Sequence, residues 1–149
     1  MLKKGSLLLS IWCIINFVLA LFILCYVIIL GKNSPILQVA AFSEVEIASL
    51  SAKTMAALNS FTILYNSCSL MISVLTWLLI RRNLVAGEKR AFWLLVGVIG
   101  FVEAMAFLAS SYIGYGRWQV NVVQSVLYLT GICLSGFSIF KGVKNEFNH

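Results

Sequence analysis

The chain has 149 residues, of which 61% are hydrophobic and only 11% charged, with a formal net charge of +6 and a mean hydropathy of +0.98. That is one domain's worth of sequence, far from a soluble average where about a quarter of residues are charged, and it defines a polytopic helical membrane protein. The basic surplus does not indicate nucleic acid, because the Lys and Arg residues flank apolar runs and are accounted for by membrane topology and anionic headgroups.

Chemistry is bounded as tightly. There is no aspartate, and the single histidine is the terminal His149. Metal, haem and His-base chemistry therefore have few residues to draw on, and no metal site or cofactor is expected. The four cysteines, Cys13, Cys25, Cys68 and Cys133, form no CxxC pair and all fall inside apolar runs, where each is read as a small packing residue. No GxSxG, P-loop or dinucleotide-binding pattern occurs.

Lys3 and Lys4 precede a charge-free run to Gly31. It is too long for the apolar core of a signal peptide, and no small-x-small site follows, so it is expected to remain as the first span, about 7–30. Asn16 is its one strongly polar member, and Trp12 is placed near the cytoplasmic interface.

The loop at 32–59 carries two helix starts. Ser34-Pro35 predicts a short helix over 35–42. Ser43-Glu44-Val45-Glu46 fits a capping box and predicts a helix over 44–58 that continues toward or into the second span, about 60–80. In that span Asn59, Thr62, Asn66, Ser69, Ser73 and Thr76 recur at alternating intervals of three and four, a stripe that in lipid turns toward other helices. Trp77 marks the interface and Arg81-Arg82 end the span.

A short basic turn leads to the third span, about 91–113. Gly97, Gly100, Ala104 and Ser111 share a face that is expected to admit a neighbouring backbone. Beside them, near mid-membrane, stands Glu103. The fourth span, about 119–140, repeats the pattern with Asn121, Gln124, Tyr128, Gly131, Ser135 and Ser138.

Eight of the eleven basic residues, Lys3, Lys4, Arg81, Arg82, Lys89, Arg90, Lys141 and Lys144, fall on one side of this arrangement. The positive-inside rule then makes both termini cytoplasmic and the 32–59 loop extracytoplasmic. The expected fold is an all-α bundle of four transmembrane helices forming one domain. The lack of eukaryotic targeting or lipidation signals suggests a bacterial inner membrane.

An ionisable group at the depth of Glu103 is costly and by default functional, facing protein or water. Facing stripes would bring Asn16, Asn66, Asn121, Gln124 and Tyr128 toward it, with Tyr128 and Asn66 its best-placed contacts. In one reading Glu103, desolvated and protonated, serves a proton-coupled carrier or binds a ligand. In the other it is hydrogen-bonded glue between helices. The leading function class is a non-enzymatic membrane protein. It would bind a small amphipathic molecule or lipid in its interior, or dock with a second copy or a partner subunit. A proton-coupled transporter and an intramembrane acid–base enzyme are the alternatives.

Overall fold

The computed structural model describes residues 1–30, 43–113 and 118–146. Its elements are α1 (Leu2–Leu30), α2 (Glu44–Ser49), α3 (Ala52–Leu79), a π-helical turn at Ile80–Leu84, α4 (Lys89–Ile113) and α5 (Trp118–Glu146), with no strand among the described residues. Four helices, α1, α3 with its π turn, α4 and α5, are long and apolar enough to cross a membrane. A helix suits that setting because it closes its backbone hydrogen bonds within the segment, where lipid offers no partner. The 29 residues of α1 extend about 44 Å at 1.5 Å per residue, more than the ~30 Å hydrocarbon core. This explains why the helices begin at residues 2 and 52 rather than at 7 and 60. Hydropathy marks the stretch that suits hydrocarbon, whereas the helices themselves also include the charged Lys3, Lys4 and Lys53.

The connection before α3 departs from expectation. The capping box at Ser43 forms: the Glu46 N–H donates to Ser43 Oγ at 3.2 Å, and the Ser43 N–H donates to Glu46 Oε2 at 2.7 Å. The Ser43 N–H and the Ser43 hydroxyl, which also donates to Glu46 Oε2 at 2.7 Å, hold the exposed Glu46 carboxyl below its ordinary pKa. The helix it starts does not continue into the span, however. Leu50 is extended (φ −71°, ψ 136°) and Ser51 begins a new helix, its Oγ accepting from the Thr54 N–H at 3.1 Å. A second serine cap therefore competes with continuation and prevails. The helix expected over 35–42 lies outside the described residues.

Packing is organised on α1, which lies against both α3 and α5, while α4 packs on α5. The π turn inserts Ile80 and Leu84, both fully buried, between α1 and the start of α4. Gly87, at φ +80°, then reverses the chain. Its N–H donates to Leu84 O and the Glu88 N–H to Asn83 O, the pair of bonds of a Schellman cap, for which a glycine in the left-handed region is suited.

The closest helix approach is not where the sequence pattern places it. A Cβ on Gly5 would lie 2.8 Å from the carbonyl oxygen of Gly131, so α1 and α5 touch backbone to backbone, antiparallel, with Leu9 seated over Gly131. On α4 the expected small-residue face is mostly unused. Gly97 and Ala104 are exposed, and a Cβ on Gly97 would meet nothing within 4 Å. Only Gly100 serves, facing the Tyr128 hydroxyl, while α4 buries Leu95, Ile99 and Glu103 instead. The Ser111 side chain lies outside the described set. The inward stripes of α3 and α5 are as the spacing predicts, with Asn66, Ser73, Thr76, Tyr128 and Ser135 buried. Of the cysteines only Cys13 is buried; Cys25, Cys68 and Cys133 are exposed, so three of the four do not pack the interior.

Candidate functional site

Three helices converge on Glu103. The carboxyl is 6% exposed; its Oε1 accepts from the indole N–H of Trp12 on α1 at 2.7 Å, and its Oε2 is bonded to Ser125 Oγ on α5. An indole can only donate, so Oε1 must be an acceptor in this bond. The serine hydroxyl accommodates either state, donating to a carboxylate or accepting from a carboxylic acid. A group that would be costly in lipid is thereby satisfied at both oxygens by protein.

Trp12, expected near the cytoplasmic interface, is instead buried inside the bundle. It is 1% exposed, and ten residues into α1 it lies about 15 Å along the helix. Trp77 and Trp93, by contrast, are exposed toward the surroundings, Trp77 beneath the Arg81 guanidinium at 5.4 Å.

The other expected contacts of Glu103 have different partners. Tyr128 donates its hydroxyl hydrogen to Val96 O at 3.0 Å, and Asn66 donates to Thr62 O on its own helix at 2.7 Å. Asn121 reaches Ala106 O at 3.4 Å, and Gln124 reaches Asn16 Oδ1 at 3.4 Å, while Asn16 donates to Trp12 O. Asn16 and Gln124 thus pair with each other across α1 and α5, while Asn121 reaches across to the α4 backbone. The cause is register. Among the stripe residues of α5, Tyr128 is the one expected at the depth of Glu103. The observed pairs, Gly100 with Tyr128 and Ala106 with Asn121, set it opposite Ser125, about one helical turn away.

A substantial cavity lies elsewhere. Because α4 packs on α5 and α3 packs on α1, the flanks of α3 and α4 are left apart. Between them is a cleft of about 520 Å³ with Trp12 and Asn16 of α1 among its lining, and Ser69, Ile72, Phe101 and Met105 on its sides. Trp12 belongs both to this cleft and to the Glu103 cluster; Glu103 itself does not line the cleft. Among the described residues no group of three or more His, Cys, Asp or Glu side chains is placed to hold a metal ion.

No family model, curated protein or solved structure matches the chain. Fold and site together define its class: an all-helical bundle with four helices of membrane-spanning length, joined inside by a buried carboxyl.

Proposed function

We propose that this protein is a small, non-enzymatic multi-pass membrane protein. It takes an amphipathic molecule or lipid from the bilayer into the lateral cleft between α3 and α4, with Glu103 locking α1, α4 and α5 beside it. The single observation that carries this reading is the cleft. Its volume of about 520 Å³ falls in the ~300–1,000 Å³ range of small-molecule sites, and its lining is chiefly apolar, with Asn16 and Ser69 as polar points.

The closure around Glu103 favours the lock over a proton-coupled carrier, whose carboxyl must be reached by water. It also disfavours an acid–base enzyme, which needs the acid to face its substrate space. Charge orients the molecule: the termini and the 81–90 turn face the cytoplasm and α2 lies outside, in a membrane of the bacterial inner-membrane type.

Cys68 lines the cleft, whereas Cys25 and Cys133 are exposed and absent from its lining, and Cys13 is buried. With Cys25 and Cys133 replaced by serine, alkylation of Cys68 by N-ethylmaleimide in detergent should slow several-fold when lipid or a single-chain amphipath is added. A rate that stays constant at saturating additive refutes a ligand-binding cleft. A rate slowed only by self-association of the protein supports the competing role as a subunit of a complex.

A further inference from the structure

A second, shallower cavity of about 410 Å³ lies against Trp93, Leu94, Gly97 and Val98, and shares Ile72, Phe101 and Val102 with the first. The two form one groove along α4, from Trp93 to Ala109. At 1.5 Å per residue it is about 24 Å long, against about 15 Å for one leaflet's share of a ~30 Å hydrocarbon core. An acyl chain spanning one leaflet would occupy about 15 Å of it, starting from the Trp93 end. Gly97 keeps the groove open, since nothing lies within 4 Å of where its Cβ would be.

The Trp93 end of the groove adjoins basic side chains. Arg90 stands one turn before Trp93 and Leu94, at the α4 register that continues through Gly97 and Phe101 into the groove. Lys89 adjoins it, and Arg81 and Arg82 lie across the short turn; all four are exposed. The one acid of that turn, Glu88, accepts a hydrogen bond from Asn83 Nδ2 at 2.9 Å. The walls also argue against a helix as occupant. Close helix packing in membranes relies on small residues, whereas Tyr65, Phe101, Met105 and Leu108 leave a space suited to a thin, flexible chain.

We infer that the occupant is an anionic glycerophospholipid of the leaflet on the Trp93 side. One of its acyl chains lies in the α3–α4 groove, and its phosphate is held at Arg90. This rests on the reading of the cleft as a ligand site. It adds the headgroup charge, the leaflet and the residue that selects them.

The test is native mass spectrometry of the full chain in mild detergent with equal amounts of phosphatidylglycerol and phosphatidylcholine carrying identical acyl chains. Phosphatidylglycerol should be retained preferentially, one per chain. Arg90→Gln should reduce that preference about five-fold, which corresponds to the ~1 kcal/mol that one basic side chain contributes near an anionic surface, and leave phosphatidylcholine binding unchanged. Gly97→Phe, or Val98→Trp if the first variant does not fold, should displace both lipids. Equal retention of the two lipids by the native chain, or a preference that survives Arg90→Gln, overturns the inference. Protection of Cys68 by both lipids alike would then leave the cleft reading standing alone. Lipid that stays bound to a folded plugged variant is annular, and that too overturns it. So does a particle of two chains without lipid, in which a second copy occupies the groove.

Discussion

Replacing Glu103 by glutamine and by leucine separates a lock from a proton site. Glutamine preserves the geometry: its carbonyl oxygen still accepts from Trp12 N–H, and its amide donates to Ser125 Oγ in place of a carboxylic acid proton. Leucine removes both acceptors. Ser125 can then turn its hydroxyl to a carbonyl of its own helix, as serines in helices commonly do. Trp12 has no such recourse, since its side chain is 1% exposed and its N–H can only donate. The loss is therefore that of one orphaned buried donor, about 1–3 kcal/mol. The lower end is favoured because interhelical hydrogen bonds in membranes average ~0.6 kcal/mol. Reversible unfolding in mixed micelles with increasing SDS, followed by helical circular dichroism, should show Glu103→Gln within ~0.5 kcal/mol of the native chain and Glu103→Leu lower by about 1–3 kcal/mol. Adding Trp12→Phe to Glu103→Leu should cost less than the two single changes together, because the donor and acceptor are then both gone. If glutamine abolishes a measured transport or binding activity while leaving stability intact, the exchangeable proton is the function and the lock reading is refuted.

Three further outcomes follow from the packing and the charges. Gly5→Ala should destabilise by about 1–3 kcal/mol, because its methyl would meet the Gly131 backbone at 2.8 Å, while Gly97→Ala should be silent; the same SDS titration measures both. The capping box should respond to acid. Glu46 has its folded pKa lowered from 4.5, so its contribution is complete above that value and is lost as pH falls through the lower folded one. Amide exchange of residues 44–49, normalised for intrinsic rate, should then lose protection below about pH 4.5 but not between pH 5 and 7. Topology can be checked with impermeant maleimide: Ala86→Cys, in the turn after α3, should label only in inverted vesicles and Lys53→Cys only from outside, and labelling of position 86 from outside overturns the orientation.

Composition and periodicity by themselves determined the membrane class, the number of spans, the inward stripes of α3 and α5 and the capping box at Ser43. These are properties of single segments: a long apolar run, a spacing of three and four, a cap three residues from its glutamate. Glu103 was legible as the residue of interest because a lone acid in hydrocarbon is costly wherever its helix sits. Tertiary structure decided its partners. A tryptophan in an apolar run can face the headgroups or the interior, and only the docking of α1 against both α3 and α5 placed Trp12 inside. Ser125 stands one residue off the polar stripe of α5, and becomes a partner only through the register of α4 against α5. The break at Ser51 turned on competition between a second serine cap and continuation of the helix begun at Ser43. Gly5, Gly131 and Ser135 rather than Gly97 and Ala104 became the tight contact because the seam formed between α1 and α5, and the periodicity of one helix does not name its neighbour. The cleft has the same origin. It exists because α3 and α4 pack on α1 and α5 rather than on each other, a choice among pairings that can be made only when all four helices are together.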